Sequence, residues 1–157
     1  MDTGRDEEAV ARFVERFALQ WAEAGFPRMA ARVFIALLVT DSGQRTATEL
    51  AAQLQVSPAA ISGAVRYLSQ IGLAVRERDP GERRDHYRVS DGMWFETFAR
   101  RDELLLRWEQ DLEEGIKALG ADTPAGARLD ETRQFFEFVR LEFPGIMERW
   151  RESRSAG

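Results

Sequence analysis

Thr46-Ala47-Thr48-Glu49-Leu50-Ala51-Ala52-Gln53-Leu54-Gln55-Val56-Ser57-Pro58-Ala59-Ala60-Ile61-Ser62-Gly63-Ala64-Val65-Arg66-Tyr67-Leu68 holds two helix starts in close succession. Thr46 and Glu49 stand at capping-box spacing: the Thr46 hydroxyl can accept from the third helical amide while Glu49 reaches back. Leu50, Ala51 and Leu54 then share one face. The chain turns at Gln55-Val56-Ser57, and Ser57-Pro58 restarts it as N-cap and first-turn proline, with a second helix running to Gly72. With Ile61 at the centre of the buried face and about 100° per residue, Val65 and Leu68 fall within about 40° of it. Ala59, Gly63, Arg66 and Gln70 lie opposite, with Ser62 to one side. That outer face is small, polar and basic. Ala59 and Gly63 let a backbone approach a groove floor, Ser62 donates or accepts, and Arg66 reaches a guanine edge or a phosphate. Ser57 and the amides after it present a helix N-terminus to phosphate.

Downstream, Leu73 to Arg78 and His86 to Val89 alternate apolar and polar residues, and Pro80-Gly81 lies in the polar connection, which predicts a β-hairpin. Arg83 and Arg84 fall near its tip and Arg76, Arg78 and Arg88 on its strands, five arginines in 13 residues. An arginine at such a tip can enter a minor groove, where narrow A-tracts concentrate negative potential. Glu77, Asp79, Glu82 and Asp85 temper the charge. Two capped helices joined by a three-residue turn and followed by an arginine-bearing hairpin make a winged helix-turn-helix. Its expected DNA contacts are Thr46, Ser57, Ala59, Ser62, Gly63, Arg66, Arg78, Arg83, Arg84 and Arg88.

Helices flank this unit on both sides, so the expected fold is mainly α with one small hairpin. Val10, Phe13, Val14, Phe17, Ala18 and Trp21 form an amphipathic stripe that Gly25-Phe26-Pro27 stops. A second helix is expected from Arg28 to Val39. After Asp91-Gly92 a long helix carries Trp94, Phe98, Leu105, Trp108, Leu112, Ile116 and Leu119 up to Gly120. Asp122-Thr123-Pro124 opens a last stretch with Leu129, Thr132, Phe135, Phe136 and Val139. Pro144-Gly145 is expected to interrupt it and start a short terminal helix, and Arg151 to Gly157 to fray. The terminal stripes exceed what a small winged domain can cover, which predicts a homodimer interface through Phe13, Phe17, Trp108, Leu112, Phe135, Phe136 and Val139. The division expected is 1–24 for an N-terminal dimerisation helix, 25–92 for the winged helix-turn-helix and 93–157 for C-terminal dimerisation helices.

Composition narrows the chemistry. The 157 residues are 44% hydrophobic and 31% charged, a globular balance for about one domain. The longest apolar run, Val33 to Val39, falls far short of the roughly 20 residues that span a bilayer. The acidic, polar opening is unlike a signal peptide, so a cytoplasmic protein is expected. There is no cysteine and one histidine, His86, which excludes thiolate metal sites, disulfides and His-based zinc clusters. Asp111, Glu113 and Glu114 spread around a helix as a solvated face, so neither metal nor cofactor is expected. No GxSxG, HExxH, Walker loop or GxGxxG occurs, and Ser57 has no base in reach but His86, so no enzyme is expected. Net charge is −5, yet Ser57 to Ser90 carries +2 and the remainder −7. The cations are 21 arginines and one lysine, Lys117, a set that suits phosphate recognition and also follows from GC-rich coding.

Gln53-Leu54-Gln55-Val56-Ser57-Pro58-Ala59-Ala60-Ile61-Ser62, followed by Tyr67-Leu68 and Ile71-Gly72-Leu73, resembles the MarR family of bacterial transcriptional regulators. The wing Pro80-Gly81-Glu82-Arg83-Arg84-Asp85-His86-Tyr87-Arg88 and the opening Gly25-Phe26-Pro27-Arg28-Met29-Ala30-Ala31-Arg32 look most like its GbsR-like branch. The resemblance implies a homodimer with intertwined terminal helices on a palindromic double-stranded DNA operator. It also implies a recognition helix in the major groove, a wing in the minor groove, and often a small-molecule effector that weakens binding. By position, Ser57, Ala59, Ala60, Ser62 and Arg66 match the recognition-helix contacts and Arg83 and Arg84 the wing contacts. Repression is the commoner behaviour in the family.

Three further readings attach to single features. Trp21, Trp94, Phe95 and Phe98 could line an aromatic effector pocket between the DNA-binding unit and the dimer helices. Some GbsR-like proteins are linked to choline or betaine metabolism, and aromatic cages bind quaternary ammonium groups. His86 is expected at a wing contact or exposed, with a pH switch as the sharper reading. The alternative function is a winged helix that binds protein without DNA, which the acidic remainder favours and the arginines of the wing tip oppose.

Overall fold

The first helix, α1 (Glu7–Glu23), starts where Asp6 accepts the amide of Ala9 at 2.9 Å, and it ends at Gly25, whose φ of 100° an L side chain would resist. A computed structural model describes residues 4–89 and 92–157, apart from the side chain of Phe95. Pro27 then leads into α2 (Arg28–Leu38), in which Ala30, Ala31 and every residue from Val33 to Leu37 are buried. From Val33 to Leu37 the buried residues cover every side of the helix, which belongs at the centre of a core, and α2 packs against α1, α3 and α4. Leu38, on the same apolar run, is 37% exposed.

Thr46 caps α3 (Ala47–Leu54) and Ser57 caps α4 (Pro58–Gln70). The turn between them runs through Gln55 in the left-handed region, at φ 57°. Ile61, Leu68, Leu50 and Phe34 lose all exposure to water, each burial worth about 1.5–3 kcal/mol.

Three short strands complete this unit: β1 (Gln44–Thr46), β2 (Val75–Glu77) and β3 (His86–Arg88). The sheet is antiparallel in the order β1-β3-β2, with Arg76 opposite Tyr87 and Arg45 opposite Tyr87 on the other side. The sequence pattern gives the hairpin of β2 and β3 but not β1, which is three residues long and hidden beneath the helix-start signal at Thr46. The central place of β3 also corrects the expectation for His86, which is buried rather than exposed.

A second unit begins at Trp94. It holds α5 (Met93–Leu119), apart from its first residue, and α6 (Pro124–Ser155), an antiparallel pair in which Phe98 meets Phe143 and Trp108 meets Phe136. Thr123 makes the corner: its hydroxyl accepts from the Gly126 amide at 3.0 Å and donates to the Gly120 carbonyl at 2.8 Å. Arg140 grips the buried Glu109 with two hydrogen bonds, 2.6 and 3.1 Å, tying α6 to α5.

The expected break at Pro144 is absent, and α6 runs through it. Proline removes one amide from the ladder and crowds one carbonyl, a local cost that long helical arms on both sides outweigh. The tail is likewise helical to Ser155 instead of frayed, held by Ser153 to the Trp150 carbonyl and by Arg154 over the Trp150 ring. Among the described residues no helix is long and apolar enough to cross a membrane.

Candidate nucleic-acid interface

The Ser57 hydroxyl accepts the Ala60 amide at 3.2 Å, which fixes the first turn of α4. From that start the helix turns Ile61, Ala64, Val65 and Leu68 inward and leaves Ala59, Ser62, Gly63, Arg66 and Gln70 exposed. Ala60 is half-buried. The outward set is the one the 100° rule selects. Gly63 has nothing within 4 Å of the place a Cβ would take, so its flatness is turned to solvent.

Thr46 is engaged in its own cap. Its hydroxyl accepts from the Glu49 amide and donates to Glu49 Oε1, both at 3.2 Å. Arg45, at 3.0 Å, is the main reason the Glu49 carboxyl is held below its ordinary range, and burial works against it.

The wing arginines separate into two groups. Arg76 Nε lies 2.6 Å from Asp85 Oδ2, with a second bond from Nη2, and Arg78 Nε lies 2.8 Å from Oδ1. Asp85 thus spends both oxygens on the β2 side of the hairpin, and Arg78 and then Arg76 hold its carboxyl below the usual carboxylate range. Arg88 makes two bonds to Glu77, at 2.6 and 3.2 Å, and is the largest cause of the lowered Glu77 pKa. His86 sits between Glu77 at 3.5 Å and Asp79 at 3.9 Å. Arg83 and Arg84, on the loop beyond Asp79, are exposed. Among the described residues they and Arg66 make no ion pair.

Of the expected contacts, then, Arg66, Arg83 and Arg84 are free cations, whereas Arg78 and Arg88 are bound to carboxylates of their own hairpin. Sequence reasoning missed Asp85 and Glu77 as organisers. The available signal was charge alternation on two strands expected to pair, since opposite charges across or diagonal to each other attract.

Of the aromatic residues expected around an effector, Trp21 and Phe98 each pack on rings of their own unit. Trp21 packs at 5.1 Å on Phe26, 5.3 Å on Phe34 and 5.9 Å on Phe17. Phe26 in turn meets Tyr67 of α4 edge-on. Phe98 packs on Phe143 and lies under the Arg101 guanidinium. Trp94 is half-buried, and the side chain of Phe95 lies outside the described residues.

Comparison with known proteins bears on this arrangement. The MarR family model matches residues 24–85, and a model of MmpR5-like MarR family transcriptional regulators matches residues 92–153. Both models describe MarR-family regulators, and the two matches do not overlap along the chain. The chain is 28% identical over 134 residues to the HTH-type transcriptional regulator MmpR5 of Mycobacterium tuberculosis, covering 85% of this chain and 81% of that one. A crystal structure of a transcriptional regulator superposes with a TM-score of 0.83 at 26% identity, over 92% of this chain and 99% of the other. The three-stranded sheet and capped helix pair thus form a winged helix like that of MarR-family transcriptional regulators, a family of regulators rather than enzymes.

Proposed function

We propose that the chain is a homodimeric repressor that reads a palindromic operator, with α4 in the major groove and the β2–β3 wing in the adjacent minor groove. The observation that carries this is the set of exposed arginines without an ion pair, Arg66, Arg83 and Arg84. In a chain of net charge −5, cations left unpaired on one reading helix and one wing tip suit a polyanion with a groove. Ser57, Ala59, Ala60, Ser62 and Gly63 supply the close-fitting floor of that contact. Thr46 anchors it from the first helix of the pair, and Arg78 and Arg88 shape the wing.

In this reading residues 25–92 bind DNA, while 1–24 and 93–157 pair with a second copy. Apolar exposure supports the pairing: Trp108, Phe135, Phe138, Leu141, Ile146 and Trp150 are each more than 40% exposed, more than singly scattered surface residues explain. Leu112, Phe136 and Val139 border those positions on α5 and α6, and α1 offers Phe13, stacked on Phe17 and 39% exposed. The wing sequence Pro80–Arg88 supports placement in the GbsR-like branch, and a regulator of transcription works in the cytoplasm. A small-molecule effector would release the operator. A quaternary ammonium compound would have to displace Arg101 from Phe98, so titration with choline or betaine should lower operator affinity if that ring is used.

The test is affinity for double-stranded DNA against salt, using a duplex selected by the protein from a randomised pool and a scrambled control. Salt-dependent preference for the selected duplex supports the reading. Absence of DNA binding at low salt would overturn it in favour of a winged helix that binds protein, the reading favoured by the −7 outside residues 57–90.

A further inference from the structure

We propose that Asp85 determines the specificity of the wing by withholding Arg76 and Arg78 from DNA. The inference rests on the DNA-binding reading above and adds to it a residue that makes no contact with the operator. Asp85 is only 16% exposed, and both of its oxygens are committed, Oδ2 to Arg76 and Oδ1 to Arg78. The two guanidiniums themselves are more than half exposed, at 63% and 56%. They sit at the surface of a hairpin expected to lie along a phosphate backbone, and one carboxylate keeps them folded back.

The electrostatic consequence follows from counterion release. Each cation that neutralises a phosphate adds about 0.9 to the slope of log affinity against log salt, whatever the sequence. A wing with five free arginines would grip any duplex, and a dimer would present ten. Asp85 and Glu77 take three of the five per protomer into internal pairs, which leaves Arg83 and Arg84 at the tip. The affinity of the wing for arbitrary DNA is thereby reduced, and more of the total falls on α4, which meets base edges. Asp85 also bridges the end of β2 to the start of β3, so the same contacts hold the tip loop at one angle.

Asp85→Asn removes the charge and keeps the shape and one acceptor. In the full-length dimer, released Arg76 and Arg78 should steepen the salt slope on the scrambled duplex by about 0.9 per phosphate gained, up to about four contacts per dimer. Affinity for that duplex should rise by about threefold per contact at the low end of a fourfold salt range, relative to the high end. The ratio of selected to scrambled affinity should fall. Asp85→Glu, which keeps the charge, should retain the wild-type slope, and adding Arg76→Gln and Arg78→Gln to Asp85→Asn should restore it. If Asp85→Asn weakens both duplexes without steepening either slope, Asp85 merely holds the hairpin and the proposal fails. If the wild-type chain shows no salt-dependent binding, the DNA reading fails and this inference with it. An unchanged Asp85→Asn slope beside normal wild-type binding overturns this inference alone.

Discussion

At the scale of single residues, the free arginines of the interface differ in what they can read. Arg66 projects from the outer face of α4, where its forked guanidinium can meet N7 and O6 of a guanine. Arg66→Ala should cost about 1–3 kcal/mol on the selected duplex and relax preference at one position. Arg84 sits on the wing loop, where the proposed contacts are to backbone and groove shape, so Arg84→Ala should weaken selected and scrambled duplexes alike. It should also reduce the salt slope by about one per lost phosphate, or about two per dimer. Titrations of both variants against salt separate the roles, and a change of base preference in Arg84→Ala with none in Arg66→Ala would reverse them. The sequence made the outward face of α4 legible because helical geometry alone selects it. It did not show which wing arginines are free, because that depends on the register of β2 against β3. Arg88 lies diagonal to Glu77 only once Val75 is paired with it.

Among the elements, the caps were readable and the behaviour of α6 was not. Thr46, Ser57 and Thr123 each accept the amide three residues on, a contact between near neighbours that spacing alone foretells. Pro144 looked like a break because local propensity treats it alone, whereas a helix of 32 residues spreads its cost. Pro144→Ala should therefore raise the melting temperature, since alanine restores an amide and is better by up to about 3 kcal/mol in a helix interior, and a lower melting temperature would show the proline to be needed. Gly126→Ala should have the opposite effect. Its Cβ would collide with the Gly120 carbonyl oxygen at the α5–α6 corner, so thermal unfolding should shift down by more than the about 0.5–1 kcal/mol of an ordinary helix substitution. Helix α6 also carries two apolar faces. At about 100° per residue, Phe136, Phe143 and Met147 cluster towards α5, while Phe135, Phe138 and Leu141 point elsewhere. A search for one stripe mixes them, which is why Phe138 and Leu141 escaped the expected interface. The wing has its own acid limit. Asp85 and Glu77 are held below their ordinary values of 3.8 and 4.5 by arginine partners. Their contribution is whole above those values and is lost as pH falls through the depressed ones. Wing resonances such as those of Tyr87 should then shift below about pH 4 with the helices still formed.

For the molecule as a whole, the exposed apolar surface of α5 and α6 is the strongest sign that one chain is not the working unit. Phe135, Phe138 and Leu141 are each more than 60% exposed, and a charge placed among them should be costly only if a second copy covers them. Phe138→Asp combined with Leu141→Asp should leave a monomer in sedimentation while the wild type runs as a dimer; a wild-type monomer at micromolar concentration would remove the pairing from the account. The class of fold, the order of its helices and the place of the wing were legible because helix caps, turns and periodicity are local. The third strand and the ion pairs of the wing depend on residues far apart in sequence, and they emerged only with the fold. The proposed pairing and the proposed reading helix are tested together most directly by hydroxyl-radical footprinting on a selected duplex. A two-fold dimer should protect two half-sites related by a pseudo-palindrome, with centres about one helical turn, roughly 10 bp, apart. Protection of a single asymmetric half-site, or of none, would contradict the account.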